Sequence, residues 1–122
     1  MKKLLAACVL LALAVAVPAF AEVHVTEAKL GKRVVDRRIA DETATFKAHD
    51  RAYLWLRVEG TNDDMLTVAW KVNDLVFPVE LKINGDPWRT WASKTLHIVG
   101  DWTVTVTSSG GKTLHVARFK VK

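Results

Sequence analysis

The 122-residue chain has one cysteine, Cys8, only three prolines and six glycines, and no apolar run long enough to cross a bilayer as a helix. With its single thiol near the N-terminus, the rest of the chain can form no disulfide and must be held by its core. Charge of one sign is not concentrated either. The 18 Lys and Arg and 13 Asp and Glu are interspersed, with no like-charge run longer than a pair such as Lys32-Arg33 or Arg37-Arg38, so no nucleic-acid-binding patch is expected. Internal repeats and low-complexity tracts are absent.

What is present begins with an address. Lys2 and Lys3 precede the apolar run Leu4 to Val17, followed by Pro18 and Ala19-Phe20-Ala21. This is the pattern of a secretory signal peptide, 1–21, with cleavage expected between Ala21 and Glu22 and a periplasmic or secreted destination. Leu5-Ala6-Ala7-Cys8 has the letters of a lipobox, but only four apolar residues separate Lys3 from Cys8, too few for the required run. The mature part, 22–122, is expected to be a single domain with no membrane span. It keeps 16 cations against 13 acids, together with all five tryptophans.

The hydrophobic period in that part is two. Ala52, Leu54, Leu56 and Val58 oppose Tyr53, Trp55, Arg57 and Glu59, and Leu66, Val68, Trp70 and Val72 oppose Thr67, Ala69 and Lys71. Gly60 to Asp64 reads as a hairpin loop between those strands, and Asn73-Asp74 as a turn. Phe77, Val79, Leu81 and Ile83 share a face on a strand that Pro78 marks as an edge or a bulge. Asn84-Gly85 reads as a type I′ turn. Trp102, Val104 and Val106 alternate with threonines, and Ser108 to Gly111 leads to a last strand whose inward residues are expected to be Leu114, Val116, Phe119 and Val121, with a bulge near Ala117. Glu22 to Leu30 reads as a strand with Val23, Val25 and Leu30 facing inward. Gly31 to Asp50 reads mostly as loop with a short strand near Phe46, a helical turn at Ile39–Ala44 being the alternative. About seven short strands with turns between them predict an all-β, antiparallel, immunoglobulin-like β-sandwich, with Trp55, Trp70, Trp88, Trp102 and Phe119 in its core.

The segment Trp88-Arg89-Thr90-Trp91-Ala92-Ser93-Lys94-Thr95 is the most conspicuous candidate site, with two indoles, two cations and three hydroxyls. As an extended strand it puts Arg89, Trp91, Ser93 and Thr95 on one face and Trp88, Thr90, Ala92 and Lys94 on the other. A guanidinium beside an indole can read sugar rings or carboxylates, so Arg89, Trp91, Ser93 and Lys94 are the candidate binding residues. The plainer alternative is that one of these tryptophans fills the core while Arg89 or Lys94 pairs with a neighbouring acid. Catalytic chemistry is not expected. Ser93 and Lys94 point to opposite faces, which a serine-lysine pair cannot use. His24, His49, His97 and His115 never reach metal-ligand spacing in the sequence, although His97 and His115 become cross-strand neighbours if the last strands pair. Asn62-Asp63-Asp64 lacks the glycine and distal glutamate of a calcium loop. No metal and no cofactor are expected.

Tyr53-Leu54-Trp55, Val68-Ala69-Trp70-Lys71-Val72-Asn73, Trp88 to Thr95, Gly100-Asp101-Trp102-Thr103-Val104 and the closing Phe119-Lys120-Val121 together resemble the bacterial domain-of-unknown-function family DUF2914 over about 46–122. The Trp-Arg-Thr-Trp-Ala-Ser-Lys-Thr string is the most specific part of the match. Members of that family often carry a His two residues before the strand tryptophan, where this chain has Val68, and the first 24 mature residues match no pattern. The resemblance implies a small β-sandwich module of envelope proteins with no assigned activity. The expected role is a non-catalytic binding or interaction module for an envelope protein or glycan. The alternative is a structural or accessory subunit that pairs an edge strand with a partner chain by β-augmentation.

Overall fold

The alternation of apolar and polar residues becomes two facing sheets in the computed structural model, which describes residues 22–122. The expected leader, 1–21, with its lipobox letters, lies outside the described residues. Nine strands are present there: β1 His24–Val35, β2 Arg38–Glu42, β3 Thr45–Phe46, β4 Arg51–Glu59, β5 Asp64–Val72, β6 Leu75–Ile83, β7 Trp88–Thr95, β8 Gly100–Thr107 and β9 Thr113–Val121. One sheet has the order β2-β1-β4-β7 and the other β3-β9-β8-β5-β6. All pairings are antiparallel except the short parallel pair of β3 with β9. The all-β sandwich is as expected, with nine strands rather than about seven.

The core lies between the sheets, and the inward residues are those the period-two pattern names. Ala52, Leu54, Leu56 and Val58 of β4 face Leu66, Val68, Trp70 and Val72 of β5 and Trp102, Val104 and Val106 of β8, all essentially inaccessible to solvent. No polar or charged residue is buried among the described residues. Phe119 gathers the aromatic layer. Its ring meets Phe46 edge-on at 5.3 Å and Trp70 edge-on at 6.0 Å, and stacks on Trp102 at 5.9 Å. Phe77 in turn stacks on the other side of the layer against Trp102 at 6.2 Å. Such pairs add about 0.5–1.5 kcal/mol each beyond the area they bury.

Several connections differ from the sequence reading. Gly60 to Asp64 and Asn84 to Pro87 do not close hairpins, because β4 and β7 belong to one sheet while β5 and β6 belong to the other. Asn84 and Gly85 lack the positive φ of a type I′ turn. Gly85 is needed for a different reason: a Cβ there would lie 2.9 Å from the Trp88 ring, which packs against its backbone. Leu96 to Val99 joins β7 to β8 outside any strand, with Leu96 fully buried. Most of Gly31 to Asp50 is strand rather than loop or helical turn, and the short strand expected near Phe46 is present as β3. β1 continues to Val35, and a two-residue turn at Asp36-Arg37, both with positive φ, returns the chain as β2. In β9, Ala117 packs against the core while Val116 is 44% exposed, and the irregularity sits between Val106 and Thr107 rather than near Ala117. A register shift between Val25 and Glu27 lets Val25 and Leu30 both face inward despite their odd spacing.

The ends of the sandwich carry exposed ion pairs. Lys112 holds the Glu22 carboxyl below its ordinary value, first by a hydrogen bond of 2.7 Å and then by its charge, and Lys82 does the same to Asp63. Both lowered carboxyls contribute above the ordinary carboxylate range, and the contribution is lost as pH falls through the lowered values.

The two central tryptophans differ in one respect that can be measured. The Trp102 indole N–H donates to the Ile98 carbonyl at 2.9 Å, whereas the buried Trp70 N–H has no partner. An unmade hydrogen bond at full burial is unfavourable by about 1–3 kcal/mol. Replacing Trp70 by Phe removes that orphan group, so Trp70→Phe is expected to destabilise less than Trp102→Phe by about 1–2 kcal/mol in urea unfolding.

Candidate functional site

The outer face of the β2-β1-β4-β7 sheet is set by the register of β4 on its neighbours. Trp55 lies across from Lys29 on β1 and from Trp91 on β7, and Arg57 lies across from Glu27 and Arg89. The side chains of these residues therefore stand on one surface. Trp55 is only 5% exposed although it points away from the inter-sheet core, because the β1–β2 hairpin passes over it. Its indole N–H donates to the Arg37 carbonyl at 2.9 Å and so ties the hairpin tip to the sheet.

A cleft of about 730 Å³ opens beside this contact. Lys29, Arg37, Arg38, Arg57 and Arg89 line it against a single carboxylate, Glu27, and Trp55 and Trp88 contribute apolar wall. Lys29 pairs with Glu27 at 3.3 Å, and Arg57 with Glu59. Among the described residues no carboxylate pairs with Arg37, Arg38 or Arg89 within 4 Å. These three unpaired guanidiniums share the cleft with one carboxylate, Glu27, which is already paired with Lys29. Guanidinium groups hold planar oxyanions by paired N–H bonds, and an indole wall supplies a stacking surface, so the arrangement suits an anion that carries a ring or an apolar body.

Of the residues singled out in the sequence, Arg89 lines this cleft. Trp91 stands at its margin as the cross-strand neighbour of Trp55, 36% exposed. Ser93 is occupied by a neighbour: Arg51 donates to its hydroxyl through Nε at 3.1 Å and Nη2 at 2.8 Å, and reaches Thr95 at 3.2 Å. Lys94 lies on the opposite face, its ammonium 4.1 Å above the centre of the Phe77 ring at the seam between the sheets. The expected core set also divides. Trp70, Trp102 and Phe119 lie in the core and Trp88 packs against its edge, while Trp55 is buried on the outer face instead. His115 sits across from Val106 and does not meet His97, which instead meets His49. Arg37 and Arg38 were missed because Gly31 to Asp50 reads as loop, and Lys29 and Arg57 because the alternation of their strands gives a face but not the neighbours that share it. The adjacent pair Arg37-Arg38 was the available signal.

An all-β sandwich domain with a cationic cleft on one sheet is the class that fold and site define. The model of the family DUF2914, described as a protein of unknown function, matches residues 63–121, so this segment is similar to that family. The match covers β5 to β9, so β4 with Trp55 lies before it. A comparison with the curated proteins finds no match. Among solved structures, the fold is similar to Pseudomonas fluorescens alkylpurine DNA glycosylase AlkC bound to DNA containing an abasic site analog, with a TM-score of 0.57 and 16% identity. The alignment covers 85% of this chain and 31% of that one, so the chain spans about a third of the glycosylase's length, and the likeness is one of fold.

The hairpin tip carries the cost of this architecture. Asp36 and Arg37 have φ of 50° and 63°, the left-handed region where a non-glycine residue is strained by about 1–2 kcal/mol. Because Trp55 bonds the Arg37 backbone rather than its side chain, Arg37→Gly is expected to raise stability by about 1 kcal/mol in urea unfolding with unchanged tryptophan emission.

Proposed function

We propose that the domain is a non-catalytic binding module, exported to the periplasm after removal of its leader, and that its cleft takes an anionic glycan or glycan-bearing partner of the envelope. The observation that carries this reading is the convergence of Arg37, Arg38 and Arg89, free of carboxylate partners among the described residues, beside the indoles of Trp55 and Trp88. Guanidiniums would hold the carboxylates of such a ligand, and the indole edges would contact its ring faces. Leaving three like charges together lowers stability unless a ligand neutralises them, which is the pattern of a site built for an oxyanion. The edge strands β2 and β7 flank the same face, so a bound partner can also extend the sheet.

The test is titration of the protein with soluble peptidoglycan fragments bearing free carboxylates, followed by tryptophan emission. Each charge-assisted hydrogen bond contributes about 1.5–3 kcal/mol, so Arg38→Ala and Arg89→Ala are each expected to weaken binding about 10- to 100-fold. Lys94→Ala, on the other face, is expected to leave affinity unchanged. Amidated fragments should bind more weakly, and rising salt should weaken the wild type. Equal binding by wild type and the Arg38→Ala/Arg89→Ala double variant would end this reading. Tighter binding of single-stranded DNA with the same arginine dependence would replace the glycan by a nucleic acid.

A further inference from the structure

At the far end of the β4–β7 pair from the cleft, two histidines distant in sequence meet. His49 precedes β4 and His97 follows β7, and their Nδ1 atoms are 3.1 Å apart with ring centroids at 5.3 Å. Their backbones are locked together. The His49 N–H donates to the Leu96 carbonyl at 2.6 Å, the Leu96 N–H donates to the Asp50 carbonyl at 2.8 Å, and the Leu96 side chain is fully buried between them and the core. The two rings are thus mounted on an anchored crossing of the chain. His49 also adopts φ +76°, a conformation that a side chain with a Cβ occupies at a cost.

Two neutral imidazoles can share one Nδ1–H between them. The same spacing has a second use. Donor nitrogens at about 2.0–2.1 Å from one ion lie about 2.9 Å apart at a right angle and about 3.4 Å apart at the tetrahedral angle. The observed separation falls between these limits. We propose that His49 and His97 form a two-histidine site for a divalent transition-metal ion of borderline softness, Cu(II) or Zn(II), separate from the anion cleft. Imidazole nitrogen suits these ions, whereas magnesium and calcium prefer oxygen. Both rings are exposed, so an ion can enter from solvent. Among the described residues no third His, Cys, Asp or Glu joins them as a ligand group, so water fills the remaining positions and the ion exchanges readily. On binding, the shared Nδ1–H contact is replaced and each ring carries its hydrogen on Nε2.

Calorimetric titration of the tag-free, chelator-stripped protein with CuCl₂ and with ZnCl₂ tests the site, with electron paramagnetic resonance of the Cu(II) form. One equivalent is expected to bind with nitrogen hyperfine structure from the imidazoles. His49→Ala, His97→Ala and the volume-preserving His97→Gln are expected to weaken binding about tenfold or more, at least the loss that follows removal of an outer-sphere support. His24→Ala and His115→Ala should leave it unchanged, and circular dichroism should show the sheet intact in every variant. Wild-type affinity in a His49→Ala/His97→Ala double variant, or binding that disappears with His24 instead, would overturn the proposal.

Discussion

The aromatic layer around Phe119 is the contact on which the domain depends. Phe119 comes from the last strand, Trp102 from the strand before it, Trp70 from the middle of the chain and Phe46 from its first half, so one ring binds together segments separated by up to about seventy residues. No cysteine lies in the described segment, and no polar or charged residue among the described ones is buried in the core beside this packing. The short parallel pairing of β3 with β9 follows from the same contact. Once Phe46 meets Phe119, the backbone of Thr45 and Phe46 is carried alongside Lys120 and Val121. The sandwich rests on the same geometry, with the buried Trp70 on β5, the strand that pairs with β8.

With the core secured between the sheets, the outer face of the β2-β1-β4-β7 sheet is free to carry chemistry. A tryptophan left on an outer face would ordinarily expose a large apolar surface. Here the β1–β2 hairpin covers Trp55, and the Arg37 carbonyl accepts its N–H. The cover is bought with two left-handed residues at the hairpin tip, and those residues bring Arg37 and Arg38 beside Arg57 and Arg89. Backbone strain, indole burial and charge concentration therefore arise from one local event, the return of β2 over β4. Strain of this kind persists only where the surroundings over-determine it.

The core was legible in the sequence because burial on a sheet follows a period of two, and β4, β5, β6 and β8 keep that period without interruption. What could not be read were the places where the chain changes sheet. Asn84-Gly85 has the composition of a hairpin turn, yet its glycine serves the close approach of the Trp88 ring. Asp36-Arg37 lacks the composition of a turn and nevertheless makes one, because pairing along β1 and the bond from Trp55 outweigh local preference. The candidate site suffered from the same asymmetry. Arg89 was visible on a strongly patterned strand, while Arg37 and Arg38 lay on a hairpin whose sequence is charged and weakly periodic. Ser93 and Lys94 were legible as surface residues, but not that Arg51 holds one and that the other caps the Phe77 ring.

The family-matched segment, 63–121, contains the whole of β5 to β9 but only Pro87, Trp88 and Arg89 of the cleft lining. Glu27, Lys29, Arg37, Arg38, Ile39, Trp55 and Arg57 all come from the part of the chain before it. The cations are therefore supplied mainly by strands that contribute little to the aromatic layer, and the aromatic layer by strands that contribute little to the cleft. Substitutions on β1 and β2 can alter the charge and width of the cleft without disturbing Phe119 and its neighbours, since the cations stand on the outer face of one sheet and the aromatic layer is built from the strands of the other. A scaffold divided in this way lets recognition change while packing stays constant. Of the cleft lining, Trp88 alone also packs against the core, so this indole is where a change in the cleft would be felt by the fold.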